Sequence, residues 1–326
     1  MKHTMRRRWT VLILLLASFA GTGYSEAAGT EFPNRVINLV VPFPPGGGTD
    51  VVGRMIAEVM GEALRTKVIV VNKGGAAGVV GTQQVASAKP DGYTLLFTSQ
   101  SIVTQTYETK GQVTHKQFIL LGMLNQDAFG IAVARNAPWQ TMQDFVKDAR
   151  ARPGQITMGT TGVGSITYMQ IPLLEKAAGV KLQPVPYQGS APFQMATVAG
   201  EVAAAGVVVG DAAALLKAGR LRLLGIMSAK RLEEFPDVPT YREVGVPVDF
   251  IFWRGLFVHK DTPQPIVEIL RDAVGKVARA PAYKEMLAKG GYIPGDLVGE
   301  AELQEFLKRE ERIVEEVYKD IGVLEK

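Results

Sequence analysis

Apolar residues in this chain fall into short runs separated by turn residues, and the runs alternate between two periods. Residues 36–41 are nearly all β-branched or apolar, as in a strand buried on both faces of a mostly parallel sheet. The run breaks at Pro42-Phe43-Pro44-Pro45-Gly46-Gly47-Gly48-Thr49-Asp50. Beyond it Val51, Val52, Met55, Ile56, Val59, Met60, Ala63 and Leu64 recur at helical spacing, so one face of a helix is buried. A strand over 67–71, a loop over 72–78, a helix over 79–88, a Pro90-Asp91-Gly92 turn and a strand over 93–98 continue the alternation.

The pattern restarts at Gln126, with a strand over 128–133 and a capping box, Thr141-Met142-Gln143-Asp144, opening a helix to about Arg150. A strand over 156–160, a glycine-containing turn, Thr161-Gly162-Val163-Gly164-Ser165, and a helix over 166–178 follow. Next come a strand over 183–186, a turn at Tyr187-Gln188-Gly189-Ser190, a helix to about Val198, an apolar run over 202–209 and a helix opened by Gly210-Asp211. Beyond a second capping box at Thr240, the chain runs through 248–258 into helices over 265–279, 281–289 and 300–321. Strands alternating with helices predict an α/β chain whose ligand crevice lies at the carboxyl ends of the strands.

The first glycine turn is the chemically distinctive stretch. Three glycines between a strand and a helix let backbone N–H groups face outward, and the helix dipole adds partial positive charge, which makes an anion site from backbone alone. No lysine follows the glycines as a P-loop requires, and no G-x-G-x-x-G spacing is present, so a carboxylate suits the turn better than a nucleotide. The turn at 161–165 repeats the device. Two such turns aimed at one cleft suit a ligand with two carboxylates. Charge-assisted hydrogen bonds of about 1.5–3 kcal/mol each could together support micromolar binding without an arginine clamp. Arg54 lies one helical turn from Asp50 and reads as its intrahelical partner. The candidate ligand-binding residues are Phe43, Pro45, Gly46, Gly47, Gly48, Thr49 and Asp50 of the first turn, and Thr161, Gly162, Val163, Gly164 and Ser165 of the second. Ser99 and Gln100 after the third strand, Gln126 at the crossing between lobes, Tyr187 and Asp211 complete the set. Ser99 and Gln100 also read as surface loop residues, Tyr187 as a packed aromatic and Asp211 as an N-cap.

Lys2, Arg6, Arg7 and Arg8 precede an apolar run over 11–20 and a small-residue stretch, the three-part form of a secretory signal peptide, with a cleavage site offered by Ser25-Glu26-Ala27. The run is too short to span a bilayer, and without cysteine a lipid-modified N-terminus is excluded. The expected location is periplasmic. Removing residues 1–27 takes away four basic residues and one acidic residue, leaving 32 Lys+Arg against 31 Asp+Glu, so the export segment supplies most of the chain's basic balance. No clustered basic face points to nucleic acid, and about 300 remaining residues suit two lobes rather than one core.

The run from Val40 to Asp50, then Arg54, Val70-Val71-Asn72 and Pro90-Asp91-Gly92-Tyr93-Thr94-Leu95-Leu96, closely resembles the substrate-binding receptors of tripartite tricarboxylate transporters, the Bug receptors. Pro186-Tyr187-Gln188-Gly189-Ser190-Ala191-Pro192, Pro236-Asp237-Val238-Pro239-Thr240 and Trp253 with Gly255-Leu256-Phe257 resemble the same family in the same order, over roughly residues 32 to 321. The resemblance implies a two-lobed periplasmic-binding-protein fold, type II-like, with a hinged ligand cleft. Lobe 1 would take residues 28–125 and 249–326, and lobe 2 residues 126–248. It implies a small carboxylate ligand, membrane permease subunits as partners, no cofactor and a monomeric receptor. By the same resemblance Asp211 lies near the ligand and Tyr187 borders the cleft. Tyr168 stands where the family usually carries histidine, Pro172 interrupts the same helix, and Ala203-Ala204-Ala205 stands where an aspartate is common, which leaves the ligand open among di- and tricarboxylates, acidic amino acids and aromatic acids.

The other function class is a two-lobed hydrolase or transferase using the cleft as an anion site. It would need a nucleophile with its base, a metal cluster or a cofactor loop. The histidines are His3, His115 and His259, the first in the export segment, and no acidic pair has metal-ligand spacing. A non-catalytic receptor is the expectation.

Overall fold

The computed structural model describes residues 32–162, 165–248 and 250–320, so the leader expected over 1–27 and Val163 and Gly164 of the second turn lie outside the described residues. The described residues from Arg35 onward form one compact unit. Its elements are β1 (Ile37–Val41), α1 (Gly48–Leu64), β2 (Val68–Asn72), α2 (Val79–Ala86), β3 (Thr94–Ser99), α3 (Ser101–Glu108), β4 (Phe118–Ala134), α4 (Met142–Ala151), β5 (Thr157–Thr160) and α5 (Ile166–Ala178). There follow β6 (Gln183–Pro186), α6 (Ser190–Ala199), β7 (Ala204–Val208), α7 (Val209–Lys217), β8 (Leu221–Met227), β9 (Ile251–His259), α8 (Gln264–Arg279), α9 (Pro281–Gly290), β10 (Ile293–Leu297) and α10 (Glu300–Asp320).

Local chemistry accounts for the boundaries. In α1 the residues Val52, Ile56, Met60 and Leu64 are buried along one stripe, and the helix ends at Arg65, whose left-handed backbone lets its N–H reach the carbonyls of Glu62 and Gly61. The Thr141 hydroxyl accepts from the Asp144 N–H while the Asp144 carboxylate accepts from the Thr141 N–H, the reciprocal cap read in the sequence. Thr240 and Glu243 exchange the same pair of bonds. Helix α5 runs through Pro172 without ending there.

Among the described residues the strands form one ten-stranded sheet in the order β2-β1-β3-β9-β4-β7-β5-β6, with β10 and β8 also paired to β4. Strand β4 is 17 residues long, well beyond the six-residue strand over 128–133 that the apolar pattern predicts. Its earlier part fails the alternation test because it is buried almost throughout, from Phe118 to Asn125, and a strand covered on both faces has no polar side to reveal its period. Up to Ala128 it pairs antiparallel with β9, and from Phe129 onward with β7 on one side and β8 on the other. The sheet therefore has two halves sharing this strand, one carrying β1, β2, β3, β9 and β10 and the other β5, β6, β7 and β8.

Phe129 sits where the partners change. Its ring stacks on Phe250 with centroids 5.7 Å apart and meets Phe252 edge-on at 5.4 Å, and it is fully buried. Phe129→Ala should cost about 3–5 kcal/mol of unfolding free energy, measured by chemical denaturation, with Phe129→Leu costing clearly less because more of the volume is kept.

Candidate functional site

A cavity of about 250 Å³ opens at the carboxyl ends of β1, β3 and β5. One wall is the first glycine turn, with Phe43, Pro44, Pro45, Gly47, Gly48 and Thr49, and the facing wall is the turn Gln188-Gly189-Ser190 with Ala191 and Pro192 at the start of α6. The two turns approach closely: a β-carbon on Gly189 would stand 3.5 Å from Pro44 Cγ, and one on Gly47 would stand 3.6 Å from Ser190 Oγ. Ser99, Ser101, Thr161, Ile166 and Thr167 line the sides, and Val208, Asp211, Phe252 and Arg254 close the remainder.

The first turn is held from within by Asp50. Its Oδ2 accepts from the Gly46 N–H at 2.9 Å and from Arg54 Nε at 3.0 Å, and its Oδ1 accepts from Asn72 Nδ2 at 2.9 Å. Burial pushes the Asp50 carboxyl up, but the bonds from Arg54, Gly46 and Asn72 outweigh it and hold the group below the usual carboxylate range. Asn72 also donates to the Phe43 carbonyl at 3.1 Å, so the turn is tied to the end of β2.

Beneath the cavity lies a buried charge cluster. Arg254 of β9 has no exposed side-chain surface, and its Nη2 donates to Asp211 Oδ1 at 2.6 Å in an ion pair. Its Nε donates to Thr49 Oγ1 at 3.1 Å, its Nη1 donates to Asn125 Oδ1, and the guanidinium carbon lies 4.3 Å from the Phe252 ring centroid. The carboxylate of Asp211 rests against the first residue of α1: a β-carbon on Gly48 would come within 1.6 Å of Asp211 Oδ1, so only glycine allows this approach. Asp127 completes the cluster. It is fully buried, its Oδ2 accepts from the Gly210 N–H at 3.0 Å and its Oδ1 accepts from the Ala128 N–H at 2.8 Å. Burial, reinforced by the nearby Asp211 charge and opposed by Arg254 and the two N–H bonds, pushes the Asp127 carboxyl up to about 8.

The family model described as the tripartite tricarboxylate transporter family receptor matches residues 52–319. The chain belongs to this family. A Cupriavidus necator protein encoded in the gbd 5' region is 32% identical over 96% of this chain and 98% of its own. Among solved structures, a Rhodopseudomonas palustris protein with adipate superposes with a TM-score of 0.84 at 28% identity, covering 90% of this chain and 99% of that one. MatC of the same organism, with bound malate, superposes with a TM-score of 0.81 at 28% identity, covering 88% and 99%. The architecture is the mixed α/β, two-lobed fold of periplasmic binding proteins. The family consists of periplasmic solute receptors, so this chain is a receptor rather than an enzyme.

The receptor's structure gathers some of the expected site residues and separates others. Phe43, Pro45, Gly47, Gly48, Thr49, Ser99, Thr161 and Asp211 line the cavity together. Gly46 and Asp50 lie behind the wall and bond to each other. The Gln100 side chain turns to β9, where it donates to the Ile251 carbonyl at 3.0 Å and accepts from the Trp253 N–H at 2.8 Å. Ser165 is the N-cap of α5, its hydroxyl accepting from the Tyr168 N–H and donating to the Gly162 carbonyl. Gly162 and Tyr187 line an adjoining cavity of about 480 Å³ that shares Thr161 and Gln188 with the first. Gln126 lies on a third and larger cavity of about 570 Å³, walled by Trp253, Phe306 and a face of α10 carrying both glutamates and arginines, which does not reach either turn. Val163 and Gly164 are outside the described residues. Asp211 is not an N-cap, since Val208 holds that position, but a first-turn residue of α7.

Sequence reasoning missed the α6 turn as the partner of the first, and it missed Arg254. The α6 turn competes with a more conspicuous glycine sequence at 161–165. Arg254 carried a usable signal, because it is the one charge inside the apolar run 250–258, where a charge is tolerated only when paired.

Asp127 generates a pH dependence. Its folded value of about 8 lies above the ordinary 3.8, so between these two values the folded chain keeps a proton that the unfolded chain has lost. Its contribution to stability is fully present below about pH 4 and is lost as pH rises toward 8. In denaturant titrations across pH 5–8, Asp127→Asn should flatten the fall in stability by up to about 1.4 kcal/mol per pH unit, the ceiling for one proton.

Proposed function

We propose that the receptor binds a small organic acid through a carboxylate held between the first glycine turn and the α6 turn, and delivers it to the permease subunits of a tripartite transporter. The observation that carries this is the facing pair of turns around a cavity of about 250 Å³ lined by five hydroxyl side chains besides Ser190. Helix α6 opens at Gly189 with no side chain capping it, which leaves its first N–H groups and dipole directed at an anion. The adipate and malate of the related structures are ligands of this chemical class.

In the same reading, residues 28–125 with 249–326 and residues 126–248 are the two lobes, bending about the stretch of β4 where its partners change, so that ligand enters the open form and is enclosed by the closed one. The leader over 1–27 directs the chain to the periplasm, where it acts as a monomer without a cofactor.

Binding to the folded state must raise the melting temperature by mass action. In a thermal-shift screen of the purified, ligand-free receptor against small organic acids, at least one acid should raise the melting temperature, and the primary amide of that acid should not. Ala191→Trp, which places an indole at the cavity wall, should abolish the shift while leaving the unliganded melting temperature close to wild type. A panel with no responding acid would remove the carboxylate reading.

A further inference from the structure

We propose that Asp211 makes this receptor select monocarboxylates with an apolar body, because it fills with the protein's own carboxylate the end of the cleft that a second ligand carboxylate would take. The inference rests on the cleft being a carboxylate site, as above, and specifies which carboxylates enter it.

Three observations support it. The first glycine turn already faces two protein carboxylates: Asp50 takes the Gly46 N–H from behind, and Asp211 lies against Gly48 so closely that a β-carbon there would be 1.6 Å from its oxygen. Of the described cavity-lining residues, only Asp211 and Arg254 carry charge, and they pair with each other at 2.6 Å. The remaining wall carries no charge: neutral hydroxyls are interleaved with the apolar side chains of Phe43, Phe252, Ile166 and Val208.

A dicarboxylate would have two ways to bind, both costly. Its second carboxylate could lie beside Asp211 with no unpaired cation among the described lining residues, and like charges placed together are strongly disfavoured. It could instead displace Asp211 from Arg254, leaving the aspartate buried without a partner. A monocarboxylate avoids both. Its carboxylate takes the α6 side, with the uncapped helix start and the Ser190 hydroxyl, and its apolar part lies against the aromatic and aliphatic wall. The Arg254–Asp211 pair is then not an arginine clamp for ligand but a filled socket. Thr49, Asn125 and Phe252 hold the guanidinium in place, so Arg254 cannot turn toward a ligand without breaking several buried contacts.

The test uses matched pairs of acids that differ by one carboxylate: butyrate against succinate, hexanoate against adipate, and benzoate against terephthalate, each titrated calorimetrically into the ligand-free receptor. The better-fitting pair should favour the monocarboxylate by about tenfold or more. In Asp211→Asn, which keeps an oxygen for Arg254 Nη2 but frees the guanidinium charge, that ratio should fall or reverse. Circular dichroism and the melting temperature establish that the variant is folded, and the wild-type ratio stands as a test without it. Equal or tighter binding of the dicarboxylates by wild type overturns the proposal while leaving the carboxylate reading intact. A monocarboxylate preference unchanged in folded Asp211→Asn also overturns it, since selection would then come from elsewhere. If no acid of either series binds, the carboxylate reading fails and the proposal fails with it.

Discussion

A guanidinium with no exposed surface must have its charge and its hydrogen bonds satisfied by the protein around it, and Arg254 meets that demand from every direction. Thr49 comes from the first turn of α1, Asn125 from β4 and Asp211 from α7, while the ring of Phe252 covers one face. These elements belong to both halves of the sheet. Removing any partner would leave a buried charge undercompensated, a more severe loss than the pair itself would gain in water. The arrangement fixes the floor of the cleft and explains two glycines at once. Gly48 and Gly210 each admit a carboxyl group so closely that a β-carbon would stand 1.6 Å from Asp211 Oδ1 and 2.2 Å from Asp127 Oδ2, respectively.

The same cluster separates two roles that aspartate plays at the start of a helix. Asp50 serves its own turn, shaping the loop and sharing its charge with Arg54 on the surface side. Asp211 serves another element, reaching across to Arg254 and α1. Identical side chains thus do opposite things to the cleft. One keeps the glycine turn in shape, and the other occupies the space beside Gly48.

Much of the fold was legible in the pattern of apolar residues. Helix α5 over 166–178 and strand β6 over 183–186 fall where the periodicity puts them, and the caps at Thr141 and Thr240 form as their spacing predicts. Strand β4 was underestimated because burial on both faces erases alternation. The candidate site was legible where its chemistry is local. Glycines and a following helix mark the first turn as a candidate site, and eight of the expected residues share one cavity. What escaped is set by long-range placement. Nothing in the neighbourhood of Gln126 reveals that β10 and α10 enclose it in another cavity, and the partner of Arg254 lies 43 positions away on a helix of the other sheet half. Spacing along the chain carries no information about such meetings.

Strand β4 has a mechanical consequence. Two lobes joined by loops can loosen one at a time, because a loop carries no structure from one to the other. Here the central strand of one half is continuous with a central strand of the other, and its ladder of hydrogen bonds passes from β9 to β7 and β8 within a single residue step. Fraying that begins in either half strips bonds from the same backbone that orders its neighbour. The amides of β4 should therefore be among the slowest in the chain to exchange with deuterium, and the two halves should lose their structure as one cooperative unit.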